Sequence, residues 1–254
     1  LQIKFSDAPD SIKYYLEQPK KIKVFSWDGE KDTILSPLDS MRYYKRFLQA
    51  GFLAMDPNSG HIKAWVGGID YKYFQYDHVK QGKRQPGSTF KPIVYTAAID
   101  NGYSPCYEVV DAAVSYAVPG QIPPVWRPNN SSGKYSGEVM TIRQAMARSV
   151  NSITAFIMSK VGPSNVVDYA RKLGFTSPLN AVPSLCLGTD DVSLYELVGA
   201  YATFVNKGNF TKPEYITKIA DKNGNILQSF IPETREALNE QTANLMLHML
   251  KGAI

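Results

Sequence analysis

Histidine and cysteine are scarce in this sequence, which narrows the chemistry it can carry. Its 254 residues include three histidines and two cysteines. Cys106 and Cys186 lie far apart and form no C-x-x-C pair, so zinc is disfavoured, while one disulfide and two buried free thiols both stay open. We interpret His61, His78 and His248 as surface or packing residues. No motif calls for a cofactor, and we expect no metal site.

Long apolar runs are also missing. No uninterrupted run approaches the ~18 residues that cross a bilayer, and no N-terminal signal peptide is recognisable. The chain begins at Leu1 rather than Met, so these absences do not describe what precedes it. Apolar residues still make up 44% of the chain. That content is enough for a buried core, so disorder is not expected.

The positive charge has no concentrated stretch that would indicate nucleic acid. The net charge is +5, yet the basic residues are scattered along the sequence. Lys20, Lys21 and Lys23 form the only cluster. A solvated face, or a mild attraction to an anionic surface, therefore explains the charge better than nucleic-acid binding does.

The first half of the chain shows one accessory segment, one hairpin and one helix. Residues 1–40 are polar and carry a strand-like run at 21–27, typical of a linker or accessory segment. Two apolar runs within 52–68 flank a cluster of turn residues, which predicts a hairpin. From Ser88 to Asn101 the apolar spacing is helical. Residues 103–140 show no clear helical or strand period in their apolar residues, which predicts a long irregular segment.

The second half is mainly helical. Thr141 with Gln144, and Ser193 with Glu196, form two capping boxes that begin helices. Polar residues at 149–152 interrupt the first of these helical stretches. The remaining elements expected are a helix to Gly162, helices ending near 174 and 208, a hairpin at 215–230 and a helix at 240–251. The fold class is therefore predicted as α/β, of the α+β type.

The stretch "RQPGSTFKP", residues 84–92, allows three interpretations. Gly82 and Gly87 have the spacing of a phosphate loop, but Ser88 and Thr89 follow where that loop needs lysine. Ser88 could instead be only a helix N-cap, with Lys91 a solvated side chain. The third interpretation is a serine nucleophile with a lysine activator.

The physical case for the third interpretation rests on helix geometry. Ser88 and Lys91 stand at i and i+3, within side-chain reach on one helical turn. A helix N-terminus offers free N–H groups and partial positive charge, which suit an oxyanion. A serine hydroxyl needs a base. Lysine serves if its pKa falls from about 10.4 to about 7, a shift of roughly 4 kcal/mol that burial can supply.

Several motifs together resemble the penicillin-binding proteins. "RQPGSTFKP" is similar to their active-serine motif, and Ser149-Val150-Asn151 is similar to their S-x-N motif, in the expected order. The segment 24–68 resembles the stretch that precedes the transpeptidase serine in class A, bifunctional members. "WRPNN" at 126–130 and "ELVGAYATFVNKG" at 196–208 also resemble that family. The likeness covers nearly the whole chain.

The resemblance implies a peptidoglycan D,D-transpeptidase with the serine β-lactamase/D,D-peptidase-like fold. Ser88 would attack a D-Ala–D-Ala stem peptide, release D-Ala and form an acyl-enzyme that a neighbouring stem's amine resolves. β-Lactams would acylate the same serine. Lys91 would be the base, Ser149 a proton relay, and Asn151 a hydrogen-bonding partner of substrate and Lys91. The backbone N–H of Ser88 would form half of the oxyanion hole.

The sequence departs from the family in lacking its third motif, K-[ST]-G. Lys207-Gly208 and Lys251-Gly252 lack the middle hydroxyl. We therefore expect residues 41–254 to be a transpeptidase domain truncated before that motif, preceded by the accessory segment 1–40. Such a fragment should acylate poorly alone, and its open sheet edge should pair or aggregate. A second chain could supply the C-terminal part.

The family also implies a location. A membrane anchor upstream of this sequence would hold the parent protein in the bacterial cell envelope, on the periplasmic face of the cytoplasmic membrane. Its partners would be peptidoglycan stem peptides and β-lactams, with no nucleic acid. The alternatives are a serine β-lactamase or D,D-carboxypeptidase, which share the first two motifs, and a non-catalytic cell-wall scaffold.

Overall fold

The computed structural model describes residues 9–118, 122 and 124–253, so the start of the predicted accessory segment, residues 1–8, lies outside the described residues. The chain divides into two compact units. The first holds the residues up to Gly51 together with Gly67–Asp77. The second holds Phe52–Val66 and everything from His78 onwards. The boundary near residue 40 that the sequence indicates stays a prediction.

The first unit is a small α+β assembly. Its elements are α1 (Pro9–Glu17), β1 (Lys20–Val24), β2 (Lys31–Leu35) and α2 (Pro37–Tyr44). β1 and β2 pair antiparallel, with Val24 opposite Lys31. The expected strand at 21–27 ends at Val24, because the chain turns at Ser26, whose hydroxyl donates to the Gly29 carbonyl. Edge-to-face aromatic contacts fill the interior of this unit, among them Phe25 with Phe47 and Phe74.

The predicted hairpin at 52–68 is confirmed. It consists of β3 (Phe52–Met55) and β4 (Ile62–Val66), which pair antiparallel. The Asp56 carboxylate accepts the N–H groups of Asn58 and Ser59 and so closes the turn. Gly60 has φ +70° and lies so close to Thr211 that a Cβ would approach its methyl carbon at 2.7 Å.

Helices form the core of the second unit. They are α3 (Lys91–Asp100), α4 (Ile142–Ala147), α5 (Asn151–Val161), α6 (Pro163–Lys172), α7 (Leu194–Val205) and α8 (Glu240–Leu250). Both predicted capping boxes are present, at Thr141 and Ser193. α3 was expected to bury one face, but every residue from Lys91 to Ile99 is buried. It packs against α5, α6 and α8, so it is the central helix of this unit.

The remaining strands are short and lie between the helices. They are β5 (Lys83–Arg84), β6 (Glu108–Val110), β7 (Tyr116–Ala117), β8 (Val125–Trp126), β9 (Val139–Thr141), β10 (Val192–Ser193), β11 (Asn209–Thr211), β12 (Lys218–Ala220), β13 (Ile226–Ser229) and β14 (Thr234–Glu236). The antiparallel pairs are β5–β10, β6–β9, β7–β8, β11–β14 and β12–β13. The predicted hairpin at 215–230 corresponds to β12–β13. Helices mixed with short antiparallel sheets confirm the α+β class.

The described residues also bear on two expectations from the composition, which concern membrane-spanning helices and the state of the cysteines. None of their helices has the length and apolar character that a bilayer crossing needs. Both cysteines are free thiols, so the disulfide alternative is wrong for this fold. Cys186 is buried as expected, but Cys106 is exposed because it lies in the loop that follows α3.

Candidate active site

Ser88 lies in a short turn that leads directly into the central helix. Gly87–Phe90 form a 3-10 turn, and α3 follows without a break at Lys91. The Lys91 N–H donates to the Ser88 carbonyl, which fixes the two residues one turn apart. Phe90 is fully buried, whereas Ser88 is exposed. The turn therefore presents the serine to solvent and directs the lysine inward.

The alternative interpretation of Ser88 as only a helix N-cap is wrong. The residues at the cap positions of the 3-10 turn and of α3 are Pro86 and Phe90, and neither position has a capping side chain. Among the described residues, the Ser88 hydroxyl has no hydrogen-bonding partner, and its N–H has no backbone acceptor. Unpaired N–H groups are usual in the first turn of a helix. Both groups are therefore free to meet a ligand.

A second segment meets the Lys91 side chain from 58 residues further along the chain. α4 ends at Ala147, and α5 begins at Asn151. The predicted break at 149–152 is therefore present but ends earlier, because its last two residues already belong to α5. Ser149, between them, has φ +55°. A left-handed conformation is uncommon for a residue with a Cβ and is found often at functional sites. It turns the Ser149 hydroxyl and carbonyl toward the same amine.

Three oxygen atoms surround the Lys91 amine. Its Nζ donates to the Ser149 carbonyl at 2.6 Å and to the Ser149 hydroxyl at 3.0 Å. It also donates to Asn151 Oδ1 at 2.6 Å. Lys91 is only 2% exposed. The structure thus brings together Lys91, Ser149 and Asn151, and it places Ser88 one turn before the lysine on the exposed side.

Burial gives this amine an unusual acidity. Loss of hydration lowers the pKa of Lys91 to about 8. Its oxygen neighbours favour the protonated form, but removal from water opposes that charge. Burial also raises the pKa of the nearby Cys186 thiol to about 12, so this thiol stays neutral. With a pKa of about 8, Lys91 can accept and return a proton near neutral pH.

Asn129 and Asn130, from the "WRPNN" stretch, hold the start of α5 in place. Asn130 Oδ1 accepts the N–H groups of Asn151 and Ser152, at 3.0 and 3.1 Å. The Asn129 carbonyl accepts the Asn151 side-chain NH2 at 2.8 Å. That bond leaves Asn151 Oδ1 directed at Lys91. The sequence indicated this stretch as family-like, but it gave no signal for this positioning role.

A buried carboxylate fixes Asn130 in turn. Asp111 is 3% exposed, and its Oδ1 accepts the Asn130 side-chain NH2 at 2.8 Å. It also accepts the Ser152 hydroxyl and both the N–H and hydroxyl of Ser136. Burial works against ionisation of Asp111, but these hydrogen bonds outweigh it and hold its pKa below the usual value. A polar network therefore extends from Asp111 to the Lys91 partners.

Gly188 packs directly against the turn that carries Ser88. It has φ +67°, and an added Cβ would lie 2.3 Å from the Gly87 carbonyl oxygen. The Gly87 N–H donates to the Gly188 carbonyl at 3.2 Å. On the other side, the Tyr201 hydroxyl donates to the Thr89 carbonyl at 2.8 Å. Nothing in the sequence near Gly188 marks it as a neighbour of Ser88.

Comparison with protein families matches both units of the chain. The penicillin-binding protein transpeptidase domain matches residues 50–253. The penicillin-binding protein middle domain matches residues 3–48. Penicillin-binding protein 2D of Bacillus subtilis is 34% identical over 205 residues, covering 81% of this chain and 30% of that protein. Penicillin-binding protein 1A of Aquifex aeolicus is 34% identical over 207 residues, covering 82% of this chain and 28% of that protein.

Solved structures agree with the sequence matches. The crystal structure of penicillin-binding protein 1A from Haemophilus influenzae superposes with a TM-score of 0.76 and 25% identity, covering 81% of this chain and 35% of that one. Penicillin-binding protein A from Mycobacterium tuberculosis, solved as an imipenem acyl-enzyme complex, shares the fold with a TM-score of 0.60 and 20% identity, over 69% of this chain and 45% of that one. The chain spans about a third of the length of the curated relatives it matches.

These matches confirm the family resemblance that the sequence motifs indicated. The family profile covers residues 50–253, well over half of the chain. The relatives named penicillin-binding protein 1A fit the class A resemblance of the segment that precedes Ser88. The chain belongs to the penicillin-binding protein family and carries its transpeptidase domain.

Proposed function

We propose that this chain is the serine-bearing part of a peptidoglycan D,D-transpeptidase. The observation that carries the proposal is the buried Lys91 amine. It hydrogen-bonds Ser149 and Asn151 and follows the exposed Ser88 by one helical turn. A serine beside a lysine of lowered pKa is an activated nucleophile. The proposal is supported by the resemblance of the segments that hold these residues to the family's active-serine and S-x-N motifs.

In the proposed reaction, the Ser88 oxygen attacks the carbonyl carbon between two D-Ala residues of a stem peptide. Lys91 in its neutral form takes the hydroxyl proton. The C–N bond then breaks as the proton passes from Lys91 through the Ser149 hydroxyl to the departing amine, and D-Ala leaves. A neighbouring stem's amine attacks the resulting ester, which forms the cross-link and returns Ser88 to its hydroxyl form.

The remaining roles follow from position. Asn151 holds Lys91 through its side-chain oxygen and would hydrogen-bond the substrate. The Ser88 N–H, which has no acceptor among the described residues, supplies one donor to the oxyanion. β-Lactams present a strained amide in place of the peptide bond and would acylate Ser88. The whole protein would act in the bacterial cell envelope, on peptidoglycan at the periplasmic face of the membrane.

Two other functions are tested against this one. A non-catalytic wall scaffold would keep this fold but form no covalent adduct. A serine β-lactamase or D,D-carboxypeptidase would use the same Ser88 and Lys91 but would hydrolyse the acyl-enzyme. Hydrolysis regenerates the free serine, so a β-lactam would be consumed. A transpeptidase would instead keep a long-lived adduct.

The experiment is intact-protein mass spectrometry after incubation with penicillin. It is run on this chain and, where the gene continues past Ile254, on the continued protein. On the continued protein we expect a single adduct that Ser88→Ala abolishes and Lys91→Ala slows strongly. Thr89→Ala is the matched control, since Thr89 is the adjacent exposed hydroxyl. An adduct that survives in Ser88→Ala refutes the nucleophile, and folded proteins without any adduct favour the scaffold.

A further inference from the structure

A cavity of about 490 Å³ lies in the second unit, lined by none of the four residues Ser88, Lys91, Ser149 and Asn151. Its walls are formed by strand β5, by the C-terminal end of α6, by helix α7 and by the β11–β14 pair. The lining residues with charged side chains are Lys80, Lys83, Arg171, Glu196, Lys212, Glu233 and Arg235. Cavities of this size hold small organic ligands. Arg171, Lys212 and Arg235 lie far from Lys80 and Lys83 in the sequence, so the fold brings these groups together.

The two carboxylates in the lining offset only part of the positive charge, because five basic side chains line the same cavity. Glu196 is buried, and its oxygens accept six hydrogen bonds from Thr176, Ser177 and Ser193. Against the effect of burial, those bonds hold the pKa of Glu196 at about 2, so it stays ionised and contributes one negative charge to the lining. Glu233 lies 3.9 Å from Lys212, so these two offset each other. Five basic and two acidic side chains give the lining a formal net charge of +3.

Two arginines in this wall are held by backbone carbonyls. Arg171 donates through Nη1 to the carbonyls of Phe175 and Ser177, both at 2.8 Å. Arg235 donates through Nη2 to the Arg171 carbonyl at 3.0 Å, and its guanidinium lies 4.9 Å from the Phe210 ring centre. Within the described part of the chain, neither arginine forms an ion pair, and Lys83 forms none either. Their charge is therefore available to a ligand.

We propose that this cavity binds a diphosphate group carried on a small organic body. Guanidinium groups match phosphate oxygens in pairs and are the side chains best suited to such recognition. Arg171 and Arg235 are fixed before binding, which reduces the entropy lost on association. Phe210, Pro213 and Tyr195 provide an apolar wall for the organic part. This site lies beyond the proposed transpeptidase chemistry and does not depend on it.

The test is calorimetric titration of the 254-residue protein with inorganic pyrophosphate. We expect a dissociation constant of about 1 mM or below for the diphosphate alone. Arg235→Gln should weaken binding about tenfold, equivalent to about 1.4 kcal/mol. Arg143→Gln is the control, because Arg143 is exposed, carries the same charge and does not line the cavity. No heat of binding at about 10 mM pyrophosphate, or an equal loss in Arg143→Gln, overturns the proposal.

The experiment also includes a replacement variant and a second anionic ligand. If thermal denaturation shows that the Arg235→Gln protein is not folded, Lys83→Gln is tested instead. Lys83 pairs in β5 through its backbone, which the substitution leaves unchanged. Citrate, a tricarboxylate of comparable charge, is titrated in parallel. We expect citrate to bind several times more weakly than pyrophosphate. Citrate binding that is as tight, and equally sensitive to the cavity variants, contradicts the assignment to phosphate.

Discussion

Replacing Asn130 by alanine tests how the S-x-N segment is held. The side chain accepts two N–H groups at the start of α5 and donates to the buried Asp111. An N-cap acceptor contributes about 1 kcal/mol. A hydrogen bond to a charged group contributes roughly 1.5–3 kcal/mol. We therefore expect Asn130→Ala to lower the free energy of unfolding by about 3 kcal/mol.

The local effect can be measured without any enzymatic assay. In the wild-type protein, the amides of Asn151 and Ser152 should exchange slowly, because Asn130 Oδ1 accepts both. In Asn130→Ala they lose that acceptor. A loss of about 2 kcal/mol of local protection speeds their exchange by about 30-fold. Amide hydrogen exchange followed by NMR reads each position separately. Asn58→Ala is the control, since Asn58 is an exposed turn residue.

The same variant should also slow acylation. Asn151 would be less well placed against Lys91, and a misplacement of about 1 Å costs up to about 100-fold in rate. Asn130→Asp keeps acceptor oxygens but sets a second carboxylate against Asp111, so we expect it not to restore the wild-type rate. Unchanged exchange at Asn151 and Ser152 in a folded Asn130→Ala protein would refute the positioning role.

Three further predictions concern Lys91, Glu196 and Gly188. The acylation rate should rise with pH and level off above about 8, because burial lowers the pKa of Lys91 to about 8 and only the neutral amine takes a proton; a flat profile from about pH 6 to 9 would exclude Lys91 as the base. Glu196→Gln should lower the free energy of unfolding, measured by urea denaturation, by roughly 2–4 kcal/mol, since an amide side chain accepts fewer of the six hydrogen bonds that the carboxylate accepts. Hydrogen bonds outweigh burial and lower the Glu196 pKa to about 2, so its stabilisation is present above the unfolded pKa of about 4.3 and is lost as the pH falls toward 2; equal acid sensitivity in Glu196→Gln would contradict this. Gly188→Ala should destabilise the fold by more than Gly102→Ala, because both have positive φ but only Gly188 faces a clash, and equal melting temperatures would count against that contact.

Much of the fold could be predicted because its signals are local. Turn residues at 56–60 and the capping boxes at Thr141 and Ser193 act through hydrogen bonds between near neighbours, and all three are present. The predicted break between α4 and α5 is also present, although it ends at Val150 rather than at Ser152. The complete burial of α3 was not predicted, because a period identifies one apolar face and cannot show how many helices surround it.

The sequence by itself determined the spacing of Ser88 and Lys91, the order of the two motifs and the family. Residues three positions apart on a helix lie on neighbouring sides of one turn, so the proximity of Ser88 and Lys91 can be predicted from the sequence. Only the tertiary structure decided that Lys91 is buried among Ser149 and Asn151 oxygens, because those contacts span about 60 residues. The support from Asn130 and Gly188 and the grouping of basic residues around one cavity likewise depend on chain segments that meet only after folding.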